Sequence, residues 1–116
     1  MNESILRNVV ASFICENYQV GKPFSKNTGY DLVIRKRGGW GRSVKIITRK
    51  IRSNNALMLK PVDFDAEILV IHCITNGENY YFKKDEVENL KFLKFNQSNN
   101  NPSQEPNQYL DVKRLK

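Results

Sequence analysis

Apolar side chains recur along this chain in two rhythms, and the change from one to the other marks out its elements. Over residues 3–17, Leu6, Val9, Val10, Phe13 and Ile14 stand three or four positions apart or side by side, and Tyr18 continues the series. That spacing predicts an amphipathic helix, with Asn2 or Ser4 placed to cap it. Residues 20–24 read as an extended segment or short strand, and 25–29 as a loop of turn-forming residues. Residues 30–36 and 42–50 then read as a hairpin. Its connection, Arg37-Gly38-Gly39-Trp40-Gly41, holds the glycines that positive φ angles require.

Residues 52–59 are polar and small enough to predict a loop, with a short further element at 56–59 before Pro61. Residues 68–74 form a nearly continuous apolar run, as expected of a central strand covered on both faces. Asn76-Gly77 signals a turn, and residues 79–82 return as another strand. A second helix is expected from Asp85 to about Phe92 or Phe95, with Asp85 as its cap and acids near its positive end. Residues 96–108 contain no apolar side chain and predict a flexible polar linker. Residues 109–116 form a short tail with enough apolar content to dock.

The organisation expected is therefore one domain over residues 1–95, a linker over 96–108 and a tail over 109–116. At 116 residues there is room for one modest core and not for two domains. The class is α/β (α+β): a mixed sheet of four to five strands flanked by helices.

Charge adds a second layer to this picture. Of the net +7, residues 20–60 carry 11 basic side chains against the single acid Asp31, while the rest of the chain holds 8 basic and 11 acidic residues. Such asymmetry points to a polyanion-facing surface, since Lys and Arg neutralise phosphates and release condensed counterions. The competing reading is a solvated basic face kept for solubility. No apolar run is long enough to cross a bilayer. The first residues, with acidic Glu3 and no apolar stretch behind a basic start, imply no export, so a cytoplasmic location is expected. Cys15 and Cys73 form no CxxC pair, and Cys73 reads as a buried thiol.

The hairpin carries the candidate chemistry. Residues two apart on a strand share a face, so Ser43 and Lys45 point the same way and Asp31 on the neighbouring strand can reach them. A carboxylate that ligates Mg²⁺ or Mn²⁺, beside an ammonium that orients water or stabilises negative charge, suits phosphodiester hydrolysis. The plainer reading is a turn acid pairing with a surface lysine. Trp40 at the hairpin tip, flanked by Arg35, Lys36, Arg37 and Arg42, suits base stacking or groove wedging. The preferred expectation is that it folds back on its hairpin or fills a subunit interface. His72 and Cys73 are adjacent on one strand and face opposite ways, which argues against zinc and for a core histidine with a backbone partner. Asp63, Asp65 and Glu67 lack the EF-hand pattern and read as a charged loop. No GxxxxGK[ST], GxSxG or HExxH motif occurs.

Taken in order, an initial helix with an early acid, "YDLV", a Gly turn, "SVK" with following Thr and Arg, "DFDAEILVI", "YYF" and "DEV" resemble the PD-(D/E)XK nuclease superfamily. The likeness is to its small intron-encoded homing endonucleases and Holliday-junction resolvases, over roughly residues 1–90. The resemblance implies a restriction-endonuclease-like fold, with Asp31 as the metal-binding aspartate and Lys45 as the motif lysine. Glu3 matches the first-helix glutamate, Glu16 being the poorer candidate, and Glu3 reads equally as an acid answering the helix dipole. The departure is Ser43, where the family has Glu, Asp or Gln; a hydroxyl is a poor Mg²⁺ ligand but can hold a metal-bound water.

The first reading is a Mg²⁺-dependent DNA endonuclease on duplex or branched DNA, with Asp31, Lys45 and Glu3 catalytic and Asp31, Glu3 and Ser43 at the metal. Small subunits pair to read a long or symmetric site, so a homodimer or homotetramer is expected. Its nucleic-acid contacts would come from Lys26, Arg35, Lys36, Arg37, Trp40, Arg42, Arg49, Lys50 and Arg52. The second reading is a catalytically inactive nucleic-acid-binding protein on the same fold, and the third an accessory subunit with an acidic protein partner. Ser43 favours the second. Asp31 favours the first, because an unmetallated carboxylate on a DNA-facing surface repels phosphate.

Overall fold

The structure is a computed structural model that describes residues 2–23, 29–59, 65–95 and 107–115. Helix α1 spans Glu3–Cys15 and is capped as its sequence suggests, the Asn2 side-chain oxygen accepting the Ser4 N–H at 2.7 Å. The chain leaves the helix through Asn17, at φ 68°, a residue type that tolerates the left-handed region. Strands follow at Gln19–Gly21 (β1), Leu32–Arg35 (β2), Arg42–Arg49 (β3), Ala56–Met58 (β4), Ile68–Cys73 (β5) and Asn79–Lys83 (β6). Helix α2 covers Lys84–Asn89, β7 covers Phe92–Lys94, and a 3₁₀ turn at Val112–Leu115 closes the described chain.

The main sheet has the order β1-β2-β3-β5-β6 and is antiparallel except where β3 runs parallel to β5. It is a mixed five-stranded sheet with helices against it, in the expected class. Alternation on the strands divides the core in two. Val44, Ile46, Ile68 and Val70 pack with Val9 and Phe13 of α1, while Leu69, Ile71 and Cys73 face the other way, toward Leu57, Val87 and Leu93. β5 therefore has almost no solvent face, which explains its nearly continuous apolar run, broken at half-buried His72. Cys73 is fully buried, as expected, and Cys15 is exposed.

Helix α2 is shorter than its sequence suggests. It ends at Asn89, and Phe92–Lys94 turns to strand because Leu93 is fully buried between two exposed neighbours while pairing antiparallel with β4. That partner lies far back in the chain, so helical spacing could not reveal it. The start of α2 also differs: the Glu86 carboxylate accepts the Lys83 N–H at 2.9 Å, whereas Asp85 takes only the Glu86 N–H at 3.0 Å.

The last described segment crosses the outer edge of β6. The Tyr109 carbonyl accepts the Tyr81 N–H at 2.8 Å; Tyr109 joins one core layer, and Val112 and Leu115 join the other. Arg114 locks the crossing by donating to the Tyr81 carbonyl and to the Glu86 carboxylate. An edge strand is thereby covered on its open side. Most of the expected linker, together with residues 24–28 and 60–64, lies outside the described residues.

Candidate active site and nucleic-acid surface

β2 and β3 are paired so that Leu32 faces Val44, which sets Asp31 beside Lys45. The Asp31 N–H donates to the Val44 carbonyl at 2.8 Å. β2 begins just after Asp31, while β3 continues to Arg49, so the second half of β3 runs on past its partner. Asp31 serves the first main-chain donor of that stretch: its Oδ2 accepts the Ile46 N–H at 2.8 Å. The same oxygen lies 3.7 Å from Lys45 Nζ, with the two side chains 24% and 31% exposed. Carboxylate and ammonium are thus held together at the wall of an open groove of about 350 Å³, lined by Asp31, Lys45, Ile46, Ile47, Thr48 and Arg49. Among the described residues, the hydrogen bond and the ion pair of the Asp31 carboxylate both fall on Oδ2.

Ser43 is on β3 two residues before Lys45, but its hydroxyl is already engaged, accepting the Glu67 N–H at 3.1 Å. The Glu67 carboxylate turns instead toward Arg42, 3.7 Å from its Nε. Glu3, in the first turn of α1, pairs with Arg7 at 3.6 Å on an exposed surface and does not line the groove. Among the described residues no group of three or more His, Cys, Asp or Glu side chains is arranged to hold a metal. The one carboxylate present suits a hard cation whose other ligands are phosphate oxygens and water, and the adjacent ammonium, which cannot ligate a metal, suits a phosphate oxygen.

The basic residues fall on two regions of the hairpin. Near its tip, Arg35 donates to Gln19 Oε1 at 3.0 Å, the Lys36 ammonium sits 4.8 Å over the Tyr18 ring, Arg37 is exposed, and Arg42 reaches Glu67 and the Leu115 carbonyl. At the far end of the groove, Arg49 lines the wall, half-buried with Nη1 on the Thr48 carbonyl at 3.0 Å, and the next basic residues, Lys50 and Arg52, are exposed. Lys26 lies outside the described residues.

Trp40 does not fold back on its hairpin: it is 93% exposed. The turn is closed by the Gly39 N–H donating to the Lys36 carbonyl at 2.8 Å with Gly38 at φ +77°, and this geometry projects the indole outward. His72 also differs from expectation. Its Nδ1 meets Asn79 Oδ1 at 2.8 Å, a side-chain partner, and Asn79 in turn donates to Asn8 on α1 at 2.7 Å. Tyr18 escaped the sequence reading as a surface feature. It continues the helical apolar series and is buried in the core against Phe13, while its ring also lies under Lys36 beside the hairpin tip.

No protein-family model matches this chain, and no curated protein is significantly similar to it. Among solved structures it is similar to a bacterial homing endonuclease, I-Ssp6803I, with a TM-score of 0.65 and 13% sequence identity, over 94% of this chain and 85% of that one. At that identity the likeness establishes the fold alone.

No helix among the described residues is long and apolar enough to cross a membrane.

Proposed function

We propose that this chain is a DNA endonuclease of the PD-(D/E)XK type, hydrolysing phosphodiester bonds with the help of Mg²⁺ or Mn²⁺. The observation that carries the reading is the Asp31–Lys45 pair, set in an open groove on a nuclease fold and bordered by basic residues. The metal, bound to Asp31, phosphate oxygens and water, would neutralise phosphate charge and make a coordinated water more acidic. Asp31 is positioned for this by the Ile46 N–H, which fixes one carboxylate oxygen and leaves the other to bind. Lys45 donates to the attacking water or to the phosphate oxygen that gains charge in the transition state. Arg49, Lys50 and Arg52 hold the flanking backbone on one side, and Arg35 and Arg37 on the other. A symmetric or branched target is met by a homodimer or homotetramer.

A second reading, a DNA-binding protein with a decayed metal site, is favoured by one specific observation. The Ser43 position offers only a hydroxyl, which shares the Glu67 N–H with the Ser43 carbonyl, and no second carboxylate lines the groove among the described residues. One experiment separates the two. Supercoiled plasmid, linear duplex, four-way junction and single-stranded DNA are incubated with the protein in Mg²⁺ and in Mn²⁺, beside Lys45→Ala. Metal-dependent cutting that disappears in the variant supports the nuclease. Salt-sensitive DNA retention with no cutting in either metal supports the binding protein.

A further inference from the structure

The hairpin tip holds a group that phosphodiester hydrolysis leaves unused. Trp40 is the chain's only tryptophan and is almost wholly exposed. Beside it opens a cavity of about 550 Å³ whose walls include Tyr18, Arg35, Lys36, Arg42 and Glu67. An aromatic face, cations and one carboxylate thus share a single concave surface. Trp and Arg also anchor protein–protein contacts, but four cations, Arg35, Lys36, Arg37 and Arg42, stand within five residues of Trp40 in sequence, and Glu67 is the one carboxylate on the cavity wall against three of them. Aromatic platforms among cations suit nucleobases, since every base offers a π-face and carries a phosphate beside it.

We propose that Trp40 takes an unstacked nucleobase of the bound DNA, the indole stacking on the base or wedging into the step it leaves. Arg35 and Arg37 hold the phosphates on either side, and the Glu67 carboxylate offers an acceptor to a base amino group. Trp40 precedes Lys45 by five residues, of which Trp40 and Gly41 lie in the turn before β3, so at roughly 3.3 Å per extended residue the backbone separation is at most about 17 Å, or about five base pairs of duplex at ~3.4 Å each. The DNA favoured by this protein is therefore deformed within about half a helical turn of the phosphate that meets Asp31 and Lys45. This spacing rests on the nuclease reading; the base contact does not.

A lone tryptophan makes the test direct, because emission excited at the red edge, where the chain's five tyrosines do not absorb, reports on Trp40 alone. The full chain, without metal, is titrated with a paired duplex, the same duplex carrying a single-base bulge, a single strand and free deoxynucleotides. The expected result is quenched emission and at least tenfold tighter binding of the bulged duplex than the paired one. Trp40→Ala should lose that preference by about 5- to 150-fold, as removal of one base–aromatic stack does, and Trp40→Phe should keep most of it. Trp40 is solvent-exposed, so the variants fold. Unquenched emission at saturation, equal affinity of Trp40→Ala and the unaltered protein for every DNA, or equal quenching by free nucleotides would each overturn the base contact. Quenching and bulge preference in a chain that cuts nothing would uphold the contact while sinking the nuclease reading. In a chain that cuts, a bulge preferred at no fixed distance from the cut would overturn the spacing alone.

Discussion

Replacing Asp31 with Asn separates the carboxylate's charge from its structural role. Oδ2 accepts the Ile46 N–H at 2.8 Å, and an amide oxygen can take over that bond, so the β2–β3 junction should survive. What disappears is the ion pair with Lys45, 3.7 Å away with both partners about a quarter to a third exposed. Pairs this open to water contribute about 0–1 kcal/mol, which limits the loss to a few degrees of Tm. Asp31→Ala also orphans the Ile46 N–H and should cost about 1–3 kcal/mol more. DNA affinity in metal-free buffer should rise. A carboxylate ~6 Å from a phosphate repels it by about 0.7 kcal/mol in water, equivalent to roughly threefold in Kd. Cleavage should move the other way. Changes to groups that merely support a metal ligand cost about 10- to 100-fold, so loss of the ligand's charge should cost at least about 100-fold. Plasmid nicking in Mg²⁺ and Mn²⁺, DNA binding by anisotropy and thermal melting measure the three effects on one preparation. An Asp31→Asn protein that cuts within threefold of the unaltered chain, or binds DNA tenfold more weakly, would refute the assignment of this groove.

Three further outcomes follow from named contacts. Ser43→Glu puts a second carboxylate on the strand of Lys45, and the Glu67 N–H that loses the hydroxyl keeps the residue 43 carbonyl, now at 3.2 Å; Mn²⁺ binding by calorimetry and nicking should both strengthen by tenfold or more, and unchanged metal binding would count against a cation at this groove. The Arg114 guanidinium holds the Glu86 carboxyl below its ordinary value, with smaller help from the Lys83 N–H. Because the folded-state value is the lower one, this stabilisation is present in full above the ordinary value of 4.5 and is lost as pH falls through the depressed one. Arg114→Met should therefore cost about 1.5–3 kcal/mol at pH 7 and progressively less in acid; melting curves showing the same loss from pH 7 to pH 3 would contradict the pairing. Leu115 is fully buried in the α1 layer, so Leu115→Ala should lower stability in urea by about 2–5 kcal/mol, and a change under 1 kcal/mol would mean that the tail is not docked.

Much of the architecture was legible because it depends on local periodicity. The helical series from Leu6 to Ile14, the Gly-rich connection after β2 and the nearly continuous run of β5 each report burial on their own element, and each appears where expected. The start of α2 was misjudged by a residue and its end by several. Acids at a helix start are visible in sequence, but the strand that follows exists only through β4. Trp40 shows the same limit from the other side. Composition places it in a glycine-rich turn among cations, yet whether it turns in or out depends on how that turn closes.

The candidate site divides along the same line. The alternation that puts Ser43 and Lys45 on one face, and the charge imbalance around a lone Asp31, are properties of the linear chain. They were sufficient to propose a phosphate-handling hairpin. That Asp31 faces Lys45 is a matter of register, set by the pairing of Leu32 with Val44 and by β2 starting where β3 still has donors to satisfy. The state of Ser43 is likewise a tertiary matter: β5 runs parallel to β3 and brings the Glu67 N–H to its hydroxyl, while Arg42 turns the Glu67 carboxylate away. Periodicity is written along one segment and can be read there. Register, and the fate of each polar group across it, depends on segments far apart in the chain, and only folding brings these together.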